Sequence, residues 1–202
     1  MRKKDENKRK AIIEAAISEF AEYGYHQAKI SRIAEMAGVA AGSTYSYFKN
    51  KEELLHYIFV DLWHRLQIKL AEIAGQDQLD PIAKLEAMLD ALIDIFIANP
   101  EAGIVIINEI NRLISEGKAD FIEHYERAMD VVEQVIRAGI DNGLFDNSLD
   151  IRVFRYFLMG GARQLVHRWA SNPDDPNLDS IRNGLKSMVK YGILARDDKG
   201  GA

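Results

Sequence analysis

The sequence contains no cysteine. This absence excludes disulfide bonds, cysteine-ligated zinc and cysteine nucleophiles, and it fits a reducing compartment. Long apolar runs are also absent, because the longest one, around residues 104–107, is far too short to span a bilayer. The basic start of the chain is not followed by an uncharged apolar segment, since Glu14 and Glu19 interrupt it. We therefore expect neither a signal peptide nor a membrane partner.

Common motifs of catalysis are missing as well. The sequence has no Gly-x-Ser-x-Gly, no phosphate-binding glycine loop and no His-Glu-x-x-His. His56, Asp61 and His64 share one predicted helix and could gather a metal ion, although exposed or core histidines are the commoner explanation. We therefore predict that the protein is not an enzyme and has no cofactor or metal site.

Positive charge is scarce overall but concentrated at the start. The formal net charge is −5, yet residues 1–51 hold ten Lys or Arg against six Asp or Glu, and the remainder holds 16 against 25. A basic first quarter on an acidic body is typical of a small nucleic-acid-binding head. The basic residues between Arg2 and Lys10 predict a flexible basic arm that runs into the first helix, with a solvated tail as the alternative for Arg2–Lys4.

Apolar residues recur at three- and four-residue steps, and no strand-like alternation interrupts them. This pattern predicts an all-α fold of about nine helices, with a three-helix head at the N-terminus and a helical body after it. We place the boundary near residue 51, which gives a head of residues 1–51 and a body of residues 52–202. The predicted helices cover residues 8–23, 30–37, 41–48, 51–74, 81–98, 101–115, 119–141, 148–171 and 178–193.

Residues 30–51 carry the strongest functional pattern. A short apolar-faced helix ends at Gly38, which suits a tight reversal of the chain. In a second helix over 41–48, Thr44 and Phe48 face inward. Ser43, Ser46 and Tyr47 then face outward, as in a helix that enters a DNA major groove. Lys49 and Lys51 follow at a helix start, where a lysine suits a phosphate. The alternative is a helical hairpin within an all-α core.

The run IAEMAGVAAGSTYSYFKNKEELL resembles the signature of the TetR family of bacterial repressors. The resemblance implies that Tyr45 and Tyr47 contact phosphates or bases, that Gly42 and Ser43 lie at the groove floor, and that Lys51 binds a phosphate. The chain departs from the signature where Ala28 replaces a capping Thr or Ser, and Lys29 is a candidate for the lost phosphate contact. Ala41 replaces a residue that is often polar, which favours an apolar contact with a thymine methyl.

A narrower resemblance links the whole chain to the fatty-acid-metabolism regulators of that family. It uses the stretches GYHQAKISRIAEMAGVA and YFKNKEELL, and near the end Leu149, Asp150, Arg152, Gly160 and Trp169. It implies a tunnel for a long-chain acyl-CoA, with Arg112 near its polar mouth, whereas Asp94 and Glu109 would repel such a ligand. The candidate ligand-binding residues are Phe96, Asn108, Asn111, Arg112 and Tyr125. A solvent-facing stripe is the alternative for Asn108, Asn111 and Arg112.

The last two predicted helices resemble the dimerisation surface of the family. The candidate interface residues are Phe154, Phe157, Leu158, Gly161, Leu165 and Trp169, with core packing within one chain as the alternative. A two-fold dimer predicts a palindromic operator. We therefore expect a cytoplasmic, nucleoid-associated homodimeric repressor that a small apolar ligand releases from double-stranded DNA. Open alternatives are a lipophilic drug or aromatic compound as the ligand, or a helical adaptor that does not bind DNA.

Overall fold

The computed structural model describes residues 2–115, 119–172 and 177–194, without the side chains of residues 2–4, 111–112, 114–115, 119–121 and 171. These ranges form nine α-helices and no strand, which confirms the predicted all-α class. No helix among them is both long enough and apolar enough to cross a membrane. The helices are α1 (Arg2–Gln27), α2 (Ile30–Met36), α3 (Ala41–Thr44), α4 (Lys51–Ala74), α5 (Pro81–Ala98), α6 (Pro100–Ser115), α7 (Ala119–Asp141), α8 (Ile151–Ser171) and α9 (Leu178–Ile193).

Asn and Asp side chains mark the starts of five helices. Each accepts a hydrogen bond from the backbone N–H three residues later, which satisfies a group that has no partner inside the helix. The capping residues are Asn50, Asp80, Asn99, Asp150 and Asn177. The cap at Asp150 explains why α8 begins at residue 151 and not at the predicted residue 148.

Two glycines with positive φ interrupt the N-terminal helices. Gly38 has φ 65° directly after α2, so the chain reverses there as the sequence predicts. Gly24 has φ 75° and ψ 157°, which breaks the regular helix within α1. The predicted end of the first helix near residue 23 therefore corresponds to this kink, and a further helical turn follows it.

The chain divides into two compact units that are discontinuous in sequence. The first comprises Met1–Trp63 with Ala98–Glu123, and the second comprises His64–Ile97 with His124–Ala202. In the first unit, α1 packs against both α2 and α6. Because α1 has neighbours on two sides, its buried apolar residues are Ile12, Ala15, Ala16, Ile17 and Phe20.

In the second unit, the loop after α7 packs against α7 and the end of α9. Phe145 is 1% exposed and packs against Gly139, where a Cβ would lie 2.2 Å from the phenyl ring. The N–H of Asp146 donates to the carbonyl oxygen of Ile193 at 2.9 Å. Because Gly139 has no side chain, the Phe145 ring can pack against α7, beside the end of α9.

Candidate nucleic-acid interface and ligand cavity

The α2–turn–α3 segment has the predicted inward face. Thr44 and Phe48 are buried, with 0% and 3% of their surface exposed. The second helix is shorter than predicted, because α3 ends at Thr44 and the N–H groups of Ser46 and Tyr47 donate to carbonyls three residues back. A tighter turn of this kind is common at helix ends. It still brings Phe48 into the core.

The predicted DNA-contacting residues around α3 are accessible. Ala41, Gly42, Tyr45 and Ser46 are exposed, as is Lys49, and Ser43 is half-buried. Tyr45 alone leaves 56% of its surface in contact with solvent. The segment therefore presents small groups, hydroxyls and a cation outside a sealed apolar interior.

Tyr47 lies between solvent and the start of α1. Its hydroxyl donates a hydrogen bond of 2.6 Å to Oδ1 of Asp5. This hydrogen bond, together with partial burial and the negative charge of Asp5, raises the pKa of Tyr47 above its ordinary value. The hydroxyl therefore stays protonated at neutral pH and remains a donor for an incoming acceptor.

Lys51 is engaged within the first unit. Its Nζ donates to the carbonyl oxygens of Tyr25, His26 and Ala28 at 2.8, 2.9 and 3.1 Å. An ammonium group has three donors, so all of them are used. The carbonyls at the end of a helix lack partners within it, and a cation there stabilises them. The structure thus gives Lys51 a structural role, and its contact with phosphate stays a prediction.

Glu19 caps the N-terminus of α2, which neither Ala28 nor the Lys29 side chain does. The Lys29 side chain is exposed and does not cap α2, and Ala28 is buried without a polar group. The N–H of Lys29 instead donates to Oε1 of Glu19 at 3.1 Å, and Nε of Arg32 lies 3.4 Å from Oε2. Glu19 is only 2% exposed. A carboxylate from α1 therefore holds the N-terminus of α2, and the sequence signal for it is a charge inside the apolar stripe of α1.

The basic start of the chain is helical from Arg2 onward. The Arg9 guanidinium lies over the ring of Tyr57 at 4.1 Å and over that of Phe48 at 5.4 Å. Lys8 and Lys10 are exposed. Arg9 therefore joins this part of α1 to the aromatic groups beside the α2–turn–α3 segment, which we call the recognition segment. The sequence pattern did not indicate this contact.

An apolar cavity lies inside the second unit. Fourteen residues from α4, α5, α7, α8 and α9 line it; thirteen are apolar and the other is Arg155. Its empty volume, which includes space open to solvent, is about 490 Å³. An apolar lining with one charged residue is typical of sites that bind apolar small molecules.

Arg155 is the charged residue of the cavity wall. Its Nη1 and Nη2 donate to the two carboxylate oxygens of Glu126 at 2.6 and 3.3 Å, and Nη1 lies 3.1 Å from Glu133. The guanidinium also lies 6.0 Å from the Tyr125 ring centre and 5.0 Å from that of Tyr156. Burial opposes its charge, but the hydrogen bonds to Glu126 and Tyr156 and the negative charge of Glu126 outweigh burial and raise the pKa of Arg155. Sequence reasoning missed this residue, although an arginine inside the run VFRYFL is a signal.

None of the predicted ligand-binding residues whose side chains the structure describes is part of the cavity lining. Phe96 is buried in α5 but is not part of the cavity lining, and Asn108 is exposed on α6 in the first unit. The side chains of Asn111 and Arg112 lie outside the described residues. Of the predicted residues with described side chains, Tyr125 lies close to the cavity wall, because its ring contacts Arg155. Burial raises the pKa of Tyr125, so its hydroxyl is neutral.

The predicted interface residues divide into two groups. Phe154 and Leu158 line the cavity, while Phe157 and Gly161 are exposed, and Leu165 and Trp169 are half-buried. Further exposed apolar or aromatic groups accompany Phe157 on α8 and α9: Val153, Tyr156, Met188 and Tyr191. We call this set the outer face. The inward position of Phe154 and Leu158 follows from the helix period, since these residues are four apart on one face and Arg155 lies three residues before Leu158.

Groups of three or more His, Cys, Asp or Glu side chains that could hold a metal ion do not occur in the described part of the chain. The histidine and aspartate residues of α4 therefore form no such group there. The polar groups around the recognition segment and beside the cavity remain as the two candidate sites.

Two families match the chain, and together they cover more than half of it. The family described as bacterial regulatory proteins, tetR family, matches residues 12–58. A family described as tetracyclin repressor-like, C-terminal domain, matches residues 78–172. The first match contains the recognition segment, and the second contains most of the cavity-lining residues.

Individual relatives agree with these matches. The chain is 28% identical to the fatty acid metabolism regulator protein of Bacillus subtilis, over 90% of this chain and 93% of that protein. The structure of the fatty acid degradation regulator FadR from Bacillus halodurans has a TM-score of 0.81 at 28% identity, covering 94% and 97% of the two chains. FadR from Bacillus subtilis in complex with stearoyl-CoA has a TM-score of 0.79 at 27% identity, covering 91% and 98%. These relatives are transcriptional regulators, which confirms the prediction that the chain is not an enzyme.

Proposed function

Because the chain belongs to the TetR family of bacterial transcriptional regulators, we propose that it is a homodimeric repressor that a long-chain acyl-CoA releases from a palindromic operator. DNA binding and repression are the functions of this family. Such a repressor works in the bacterial cytoplasm, on the nucleoid. The dimer, the operator symmetry and the acyl-CoA are our proposals for this chain.

One observation carries the DNA-binding role: the accessible groups of α3 and the following turn surround a buried Thr44 and Phe48. Small residues such as Ala41 and Gly42 allow close approach to base edges. The hydroxyls of Tyr45 and Ser46 can bond bases or phosphates. A rigid segment with these groups outward is suited to a major groove.

Phosphate contacts are supplied by the edges of this segment. The hydroxyl of Tyr47 is already a donor to the Asp5 carboxylate, and a DNA phosphate could replace that acceptor. Lys49 is exposed, and its side chain is available for a charge-assisted hydrogen bond. The net positive charge of residues 1–51 favours the approach of DNA to this end of the chain.

The cavity of the second unit supports an apolar effector. Its lining is apolar apart from Arg155, as in many small-molecule sites. The Bacillus subtilis relative was crystallised with stearoyl-CoA, which has an apolar chain of this kind. Asp94, whose charge counts against an anionic ligand, is paired with Arg182. That pairing lowers its repulsion of the CoA phosphates.

The experiment is fluorescence anisotropy of the full-length protein on the DNA upstream of its own gene, with a salt titration. We expect sequence-selective binding that weakens steeply as salt rises, because bound phosphates release counterions. Lys49→Ala should weaken binding and reduce the slope of log affinity against log salt by about one per half-site. Lys69→Ala is the matched control, because Lys69 is exposed and pairs with Glu72 on α4 in the second unit.

Stearoyl-CoA is then added to the protein–DNA complex. We expect the anisotropy to fall as the protein leaves the DNA, since a ligand that prefers the unbound conformation shifts the equilibrium toward it. Binding that ignores stearoyl-CoA would keep the repressor but reject this effector, and would point to a lipophilic drug or an aromatic compound. Salt-independent binding, or equal effects of the two lysine variants, would contradict the DNA-binding surface.

A further inference from the structure

We propose that Arg155 recognises the effector, and that it selects an acyl thioester by donating a hydrogen bond from Nε to the neutral thioester carbonyl. The inference rests on the proposed function, in which an apolar ligand occupies the cavity. It identifies the residue that recognises the ligand and the chemical group of the ligand that this residue binds.

The buried Nε of Arg155 has no hydrogen-bond partner among the described residues. The residue is 7% exposed, so water has little access to this N–H. A buried donor without a partner costs free energy, and most buried polar groups in proteins are satisfied. Because Arg155 lines the cavity, an acceptor oxygen on a bound ligand can supply the missing partner.

The neighbouring carboxylates decide which acceptor fits. Glu126 and Glu133 both lie against the guanidinium, and Arg137 also pairs with Glu133 at 3.7 Å, so each positive charge of this cluster already has a carboxylate partner. A free carboxylate placed at Nε would add a third negative charge beside these two carboxylates, and such repulsion is strong where water has little access. A carbonyl oxygen is neutral and accepts the hydrogen bond without that repulsion. The site therefore favours a thioester over the free fatty acid.

The exposure of Arg155 and Glu126 indicates how the ligand is oriented in the cavity. The Arg155 side chain is 8% exposed, but that of Glu126 is 38% exposed, so the pair lies where the apolar interior meets solvent. Met129, Val132 and Leu158 line the cavity on the apolar side. An acyl chain can thus fill the cavity while its carbonyl meets Arg155 and its CoA moiety reaches solvent.

A purely structural role for Arg155 explains less. The ion pair with Glu126 and Glu133 uses Nη1 and Nη2, and it joins α8 to α7. It does not use Nε. A lysine at this position would keep a positive charge near both carboxylates but would have no N–H at the position of Nε. The two roles can therefore be separated by substitution.

The test compares two ligands that differ only in the carbonyl. Stearoyl-CoA and its thioether analogue S-octadecyl-CoA have the same chain length and the same CoA moiety, but the analogue has a methylene in place of the carbonyl. We expect isothermal titration calorimetry to show that the wild-type protein binds stearoyl-CoA about tenfold more tightly or better, because the analogue leaves Nε without a partner. Arg155→Lys should bind the two ligands equally, and weakly.

Arg152→Lys is the matched control, because Arg152 is exposed on the same helix, three residues earlier. It should keep the wild-type preference for stearoyl-CoA. The comparison of ligands on the wild-type protein remains informative even if Arg155→Lys does not fold.

The remaining outcomes separate this inference from the proposed function. Equal binding of both ligands to the wild-type protein would overturn recognition of the carbonyl and leave acyl-CoA as the effector. Stearate is titrated as a third ligand, and binding as tight as that of stearoyl-CoA would overturn the preference for a neutral group. An Arg155→Lys variant that still discriminates between the two CoA ligands would remove Arg155. Failure of both CoA ligands to bind would reject the acyl-CoA effector together with this inference, while DNA binding stays testable by itself.

Discussion

Individual polar residues hold the recognition segment in place. Lys51 joins the start of α4 to three carbonyls at the end of α1, and Glu19 joins α1 to the N-terminus of α2. Both side chains satisfy helix ends that would otherwise lack partners. The spacing of charged residues in the sequence did not indicate either contact, because each joins residues that the chain brings together only in the folded unit.

The role of Lys51 can be tested by its effect on stability. Lys51→Met leaves three carbonyls without their donor and should lower the free energy of unfolding by about 2 kcal/mol. Urea denaturation followed by circular dichroism, at one fixed protein concentration, measures the change. Lys49→Met is the control, because the Lys49 side chain is exposed, and its stability should equal that of the wild-type protein. Equal stability of the two variants would show that the Lys51 contacts contribute little.

At the scale of elements, two glycines of the α2–turn–α3 segment have different roles, one in folding and the other in the proposed recognition of DNA. Gly38 has a positive φ of 65° and ends α2. Gly42 lies in α3 with an ordinary backbone, is exposed, and has no atom near the position of an added Cβ. The first glycine is needed for the turn, and we propose that the second allows a close approach to DNA.

Alanine at the two positions should have opposite effects. Gly38→Ala should destabilise the protein by about 1–2 kcal/mol, since an L residue is strained at positive φ. Gly42→Ala should leave stability unchanged or raise it by up to about 1 kcal/mol, because alanine favours a helix. It should nevertheless weaken operator binding in the anisotropy assay. A Gly42→Ala variant with full operator affinity would show that residue 42 does not approach the DNA closely.

At the scale of the whole molecule, the outer face of α8 and α9 is the strongest sign of a partner. Phe157 and Tyr191 are 69% and 75% exposed, and an added Cβ at Gly160 or Gly161 would meet no atom. Large apolar groups grouped on one surface commonly mark a protein interface. Small residues beside them allow a second helix to approach closely. A second copy of the chain fits both features.

Charge placed on the outer face should therefore separate the dimer. Phe157→Asp together with Tyr191→Asp should give monomers in sedimentation-velocity ultracentrifugation, because burying unpaired carboxylates is strongly unfavourable. Operator binding should weaken by at least tenfold, since a monomer contacts one half-site. Ile68→Asp is the control, because Ile68 is also exposed and apolar but lies on α4. Monomeric wild-type protein, or a dimeric double variant, would contradict this interface.

The sequence by itself determined the helices and the recognition segment. Apolar periodicity and capping residues are local signals, so the bounds of α4, α5, α7 and α9 follow from the chain alone. The same holds for the turn at Gly38 and for the inward position of Thr44 and Phe48, because both depend on residues close in sequence.

Only the tertiary structure decided which helix faces line the cavity and which polar groups meet. Arg155, Glu126 and Glu133 come from two helices, and Phe154 and Leu158 face the cavity although their spacing equally suited an interface. A helix with apolar residues on several sides does not specify which side is covered by its own chain. That choice depends on packing between distant segments, and local sequence patterns do not record it.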